Sequence, residues 1–133
     1  MTEWRFLRAG LAVVGVLLVA ALVGWAVQTA RYEDTGFQEL KRCLVEEKGA
    51  PVTATRDPIA RSAKLGALDT MLETNRVTVS VAADEKAAQR IAANYRAVAD
   101  DLGARLEVRG RTVYLWEREP SPTQRQAMFD CTY

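Results

Sequence analysis

The first pattern along the chain is an uninterrupted apolar run near its beginning. The 22 residues from Ala9 to Ala30 carry no charged side chain. At about 1.5 Å per residue, a helix of this length spans a hydrocarbon core of about 30 Å. Aromatic residues, which prefer the membrane interface, lie at the two ends of the run: Trp4 and Phe6 at one end, Trp25 and Tyr32 at the other. The pattern predicts a transmembrane helix over residues 9–30.

The charges beside this run predict its orientation. Arg5 and Arg8, opposed only by Glu3, precede it, and the positive-inside rule then places residues 1–8 in the cytoplasm. The alternative is a cleaved signal peptide, whose apolar region is usually about 7 to 15 residues long. Because this run is longer and ends without a clean cleavage site, we favour an uncleaved signal-anchor. A short stem (31–34) and an extracytoplasmic domain (35–133) would follow.

The first part of the domain reads as a helix and then a loop. Thr35 and Gln38 have the spacing of a capping box, and Phe37, Leu40 and Leu44 then fall on one helical face. Glycine and proline at positions 49 and 51 predict the end of this helix. Residues 50–62 read as a loop with a short turn at 57–58.

The middle of the chain alternates as strands do. Val77, Val79 and Val81 alternate with Thr78 and Ser80, which predicts a half-buried strand. Residues 67–73 fit either a helix or a strand that pairs with it in a hairpin, and we favour the strand.

A helix and a hairpin follow. Asp84 caps a pattern of apolar residues at helical spacing, and Gly103 ends it; these residues are Ala88, Ile91, Tyr95, Val98 and Leu102. A two-residue turn at 109–110 would place Leu106 opposite Val113, with Val108 and Leu115 on the same face.

The last element is a helix opened by a capping box at Ser121 and Gln124, with proline at position 122. Together the elements predict an α+β fold: a two-layer domain with a small, mostly antiparallel sheet and helices on one face.

The two cysteines, Cys43 and Cys131, form an even pair near the two ends of the domain. The predicted orientation places them in an oxidising compartment, where disulfides persist. We therefore expect a structural disulfide that clamps the first helix to the last.

Charge and composition exclude several classes of function. Only Glu3, Arg5 and Arg8 precede the apolar run, which leaves 16 basic and 16 acidic residues in the rest of the chain. Such a neutral surface is a poor partner for nucleic acid, and it gives no reason to bind anionic lipid. Without a histidine in the chain, histidine-based nucleophile activation and histidine zinc sites are excluded. We expect no catalytic residues, no metal and no cofactor.

One surface stands out as a candidate for binding. Tyr114 and Trp116 lie on the face of the predicted hairpin opposite its apolar residues. With Arg105 and Arg118 they would form a patch of the composition enriched at protein interfaces. If the first helix or residues 50–62 covered them, they would be core residues instead.

These features predict a non-enzymatic, single-pass protein of the cell membrane whose extracytoplasmic domain contacts another protein, for example as an accessory subunit of an envelope assembly. The alternative is a membrane-tethered domain that binds or senses a ligand in a pocket between sheet and helices.

Overall fold

The structure is a computed structural model, and it describes residues 36–132. The predicted cytoplasmic segment, transmembrane helix and stem, as well as Thr35 of the first predicted capping box, lie outside these residues. Within the described part, no helix is both long and apolar enough to cross a bilayer.

Four helices and five strands make up the described residues. The first helix, α1, comprises residues 36–47, of which the last five, Cys43–Glu47, are π-helical. The other elements follow in the order β1 Val52–Ala54, α2 Pro58–Arg61, β2 Gly66–Leu72, β3 Asn75–Val81, α3 Glu85–Val98, β4 Leu106–Arg109, β5 Thr112–Trp116 and α4 Pro122–Asp130, with a 3₁₀ turn at Gly103–Arg105.

The five strands form one antiparallel sheet in the order β1-β2-β3-β5-β4. Because β5 pairs antiparallel with both β3 and β4, those two strands run parallel, and α3 connects them. The α+β class with a mostly antiparallel sheet is thus confirmed. So is the strand over residues 67–73, since Leu68 pairs with Val79 and Leu72 with Asn75.

The prediction of helices on one face only is wrong, because helices cover both faces of the sheet. On one face, α1 and α4 pack against Leu68, Val79 and Trp116. On the other face, α2 and α3 pack against Leu106 and Val113. The second face of β3 is covered only in part: Ser80, which points away from the valines' face, is 1 % exposed, whereas Thr78 is half-buried and Arg76 is exposed.

In the second half of the chain, the capping signals correctly predict where the helices begin. The Asp84 side chain accepts a hydrogen bond from the Ala87 amide, and the predicted capping box at Ser121 and Gln124 is complete. The end of α3 is earlier than predicted: the helix stops at Val98, which is exposed, although Gly103 does adopt a positive φ.

The β4–β5 hairpin keeps the predicted faces but shifts the register. Leu106 pairs with Leu115 and Val108 with Val113, so the turn lies at residues 110–111. A shift by two residues preserves the alternation of side chains, so the four apolar residues still share one face, against α3.

The predicted disulfide is present and joins the two helices on the first face. Cys43 in α1 bonds to Cys131 just after α4, with a Cα–Cα distance of 5.5 Å. Both cysteines are buried, and Lys48 and Asp130 form an ion pair of 2.9 Å between the same two helices. The covalent bond thus links the start and end of the described chain across one face of the sheet.

Candidate functional site

The predicted exposed patch around Tyr114 and Trp116 does not form. Both aromatic side chains are fully buried beneath α1 and α4. The Tyr114 hydroxyl donates a hydrogen bond of 2.6 Å to Thr132 Oγ1, and its ring lies 5.6 Å from that of Phe129. Burial raises the pKa of Tyr114. The face taken as solvated is covered by α1 and α4, so the alternative, that the first helix covers these side chains and makes them core residues, is confirmed.

The two arginines of that patch brace loops. Arg105 Nε donates a hydrogen bond of 2.9 Å to the carbonyl oxygen of Trp116. The Arg118 side chain donates one of 2.6 Å to the carbonyl oxygen of Thr74, and its backbone amide donates to Asn75 Oδ1. The Arg118 bonds hold the turn between β2 and β3 against the residues that follow β5, and the Arg105 bond holds the 3₁₀ turn against the end of β5.

An open recess lies at the corner of the sheet formed by β1 and β2. We call it the edge cleft; its volume is about 570 Å³, and it is lined by Pro51, Thr53, Ala54, Arg56, Asp69, Thr70, Met71 and Arg76. Thr53, Asp69 and Thr78 form one cross-strand row on the α3 side of the sheet. Because α3 packs on β4 and β5, this corner stays exposed.

The polar groups of the edge cleft differ in how far they are already engaged. Asp69 accepts a hydrogen bond of 2.7 Å from Thr78 Oγ1. Arg76 has only a loose ion pair of 4.0 Å with Glu117, and Arg56 is exposed. Met71, which also lines the cleft, is 37 % exposed. The cleft therefore combines an apolar side chain with two guanidinium groups that are available to an incoming anion.

A second recess, which we call the alanine groove, lies between α3 and the residues that precede β2. Its volume is about 500 Å³; it is lined by Ser62, Ala63, Lys64, Ala82, Ala83, Ala87, Arg90, Ile91, Ala93 and Asn94. Its floor is apolar and its charged lining residues, Lys64 and Arg90, are both cationic. This composition suits a small ligand with an apolar body and a negative charge.

A part-buried hydrogen bond ties the N-cap of α2 to α3. The Tyr95 hydroxyl donates to Asp57 Oδ2 at 2.6 Å, while Asp57 Oδ1 caps α2 by accepting from the Ile59 amide. Burial, followed by the hydrogen bond to Asp57, raises the pKa of Tyr95 well above its ordinary range. Since the Tyr95 hydroxyl and both carboxylate oxygens of Asp57 take part in hydrogen bonds that position α2 and α3, we assign this pair a structural role.

No family model, curated protein or solved structure matches the chain. Among residues 36–132, no three side chains of the metal-ligating types come together as a candidate metal site. The two recesses are thus the candidate sites, and their assignment depends on their own geometry.

Sequence reasoning missed the edge cleft because residues 50–62 were assigned to a loop, whereas Val52–Ala54 forms an edge strand. One signal was present. In the alternation of β2, Met71 occupies a position on the polar face, opposite in direction to Leu68 and Leu72. A large apolar side chain at such a position indicates exposed apolar surface.

Proposed function

We propose that this chain is a non-enzymatic membrane protein, anchored by residues 9–30, whose extracytoplasmic domain binds another protein at the edge cleft. Two observations support the location. The uncharged run is long enough for a membrane span, and the disulfide between Cys43 and Cys131 is of a kind that persists in oxidising compartments. A membrane anchor followed by a disulfide-bonded extracytoplasmic domain suits an accessory subunit of an envelope assembly.

The main support for a protein-contact function is the open edge of β1, which lies beside an exposed apolar side chain. Strand β1 lies at the end of the sheet, where its outer backbone groups have no strand partner among the described residues. Such an edge can pair with an extended segment of another chain. Met71 would pack against that segment, because it is exposed next to β1.

The charge of the edge cleft favours an acidic partner. Arg56 and Arg76 lie on its lining with exposed side chains, whereas the one carboxylate, that of Asp69, already accepts a hydrogen bond. Charge complementarity across an interface sets specificity and association rate. The partner segment is therefore an extended stretch that carries acidic side chains.

The experiment is site-specific cross-linking in the native membrane. A photoreactive amino acid replaces Thr53 in the full chain, and the adduct is mapped by mass spectrometry. Two further chains carry the same probe together with Met71→Asp or with Val98→Asp. Val98 is the matched control, because it is also an exposed apolar residue but lies at the end of α3.

We expect a discrete adduct with an acidic segment of one protein, lost in the Met71→Asp chain and retained in the Val98→Asp chain. An adduct that both substitutions leave unchanged would contradict the assignment of the edge cleft. Absence of any adduct in membranes that retain the chain would contradict the contact function itself.

The second candidate is a tethered ligand-binding domain, and the alanine groove favours it. Lys64 and Arg90 would bind an anionic group there, over an apolar floor. Titration of the full chain with inorganic phosphate or succinate tests this, read from the backbone NMR signals of Ala83 and Asn94. Saturable shifts that disappear in the Arg90→Gln variant would favour this function, and unchanged spectra would exclude it for these two anions.

A further inference from the structure

One end of the sheet lies next to the point where the N-terminal segment joins the domain. We call it the Gly36 end. Strand register places Gly66 beside Val81 and Thr112 beside Arg109 at this end. A Cβ atom built on Gly36 would lie 2.8 Å from the Arg111 guanidinium. The first described residue of α1 therefore contacts the tip of the β4–β5 hairpin.

The loops at the Gly36 end adjoin one another. They are residues 62–65, 82–84 and 110–111. The Leu65 amide donates a hydrogen bond to the carbonyl oxygen of Val81, and the Ala82 amide donates to that of Arg111. The three loops thus form one continuous surface.

The charge of this surface is positive. Lys64 and Arg111 lie in the loops, and Arg109 is the last residue of β4. The acids beside them are Asp84, whose carboxylate accepts a hydrogen bond from the amide of Ala87, and Glu85, the exposed first residue of α3, which is followed by the exposed Lys86. Lys64 and Arg109 are exposed, and Arg111 is half-buried.

The opposite end of the sheet is acidic. Its loops are residues 73–74, 99–105 and 117–121, and their acids are Glu73, Asp100, Asp101, Glu117 and Glu119. Their two cations, Arg105 and Arg118, donate hydrogen bonds to backbone carbonyls. The loops at one end of the strands are therefore positively charged and those at the other end negatively charged, which the net charge of the domain does not reveal.

The length of the stem limits how far the Gly36 end can lie from the proposed membrane anchor. Six residue steps separate Ala30 from Gly36. A fully extended chain covers about 3.3 to 3.6 Å per residue, so the separation is at most about 22 Å. This step rests on the proposed function, because it requires that residues 9–30 span the bilayer.

We propose that the Gly36 end docks on anionic lipid headgroups of the membrane that holds the chain, through Lys64, Arg109 and Arg111. Phosphate groups complement these side chains, and the short stem keeps them close to the surface. Each cation near an anionic membrane strengthens association about fivefold. Docking would turn the acidic end and its loops away from the bilayer.

The test uses the isotope-labelled full chain in lipid nanodiscs made of phosphatidylcholine, with or without phosphatidylglycerol. A gadolinium chelate on a fraction of the headgroups broadens amide signals according to their distance from the bilayer. The variants are Lys64→Gln, alone and combined with Arg111→Gln. The matched control is Arg96→Gln, which removes one exposed cation near the other end of α3.

We expect phosphatidylglycerol to increase the broadening of residues 62–65 and 110–111 severalfold, and that of residues 73–74 not at all. The increase should fall in Lys64→Gln, disappear in the double variant and in high salt, and persist in Arg96→Gln. Equal broadening in both lipids, or an equal increase at both ends, would overturn the docking. Loss of the chain from the bilayer on alkaline carbonate extraction would instead overturn the anchor.

Discussion

Replacing Gly66 with alanine tests how closely α1 packs on the sheet. A Cβ atom built on Gly66 would lie 2.6 Å from the ring of Phe37, which is 8 % exposed, and the φ angle of Gly66 is +141°. The forced shift of a packed side chain costs about 1–3 kcal/mol. The backbone conformation, which only glycine adopts readily, costs about another 1–3 kcal/mol. We expect Gly66→Ala to lower the free energy of unfolding by about 2–6 kcal/mol.

The assay is amide hydrogen exchange of Val77 and Val79 in the full chain in mild detergent. These residues lie in the central strand, β3, whose exchange requires opening of the core. Gly110→Ala is the control. Gly110 also has a positive φ, +58°, but a Cβ atom there would meet no atom within 4 Å. It should therefore show only the left-handed penalty of about 1–2 kcal/mol.

A second variant separates the contact from the backbone strain. Adding Phe37→Leu to Gly66→Ala removes part of the ring that the new methyl group meets. The double variant should be less destabilised than the sum of the two single variants predicts, by about 1–3 kcal/mol. If Gly66→Ala costs no more than Gly110→Ala, or if the two substitutions are additive, the packing argument fails.

Three further predictions concern the core and its links. Replacing Cys43 and Cys131 together by alanine should lower the free energy of unfolding by about 4–5 kcal/mol, because they lie 88 residues apart; denaturant titration measures this, and maleimide labelling of unreduced native protein would contradict the disulfide. Trp116→Ala should cost about 3–5 kcal/mol, since the side chain is fully buried; a melting temperature equal to that of the wild type would show that it is not core. Tyr95→Phe should cost about 2 kcal/mol by leaving Asp57 without its donor. Folding raises the pKa of Tyr95, so this tyrosine ionises at a lower pH in the unfolded chain than in the folded one. The free energy of unfolding therefore falls as the pH rises above about 10. Denaturant titrations below and above that pH should show a shallower fall in Tyr95→Phe than in the wild type.

The sequence predicted the elements with strong local signals. The cap at Asp84 and the capping box at Ser121 depend on residues that are close in the chain. The pairing of Cys43 with Cys131 was predictable because the chain has two cysteines. Strand alternation was equally informative about faces. The hairpin kept its apolar face although its turn lies one residue later than predicted, because a register shift of two preserves alternation.

The number of layers was harder to predict, because it depends on which distant helix covers which face. Strand β5 contained a usable signal: Val113, Tyr114, Leu115 and Trp116 are consecutive and apolar, which is typical of a strand buried on both faces. On β3 this signal is masked, because Ser80 is a small polar residue that predicts a solvated position although its side chain is buried.

The candidate site was the least predictable part. The edge cleft depends on β1, a strand of three residues that no periodicity can identify. It also depends on where α3 leaves the sheet uncovered. The different charge of the two ends likewise follows from strand register, because Lys64 and Arg111 are 47 positions apart in the chain and come to the same end of the sheet only in the folded domain.

The disulfide also determines how the domain responds to mechanical force. A pull between the two ends of the described chain enters at α1 and reaches Cys43, from which the covalent bond transfers it directly to Cys131. The intervening residues, which include the whole sheet, lie outside this load path and are not stretched. A pull exerted by a partner on β1 enters inside the closed loop and must cross the hydrogen bonds between β1 and β2. The domain would thus resist tension along its chain yet yield to a force applied at its edge.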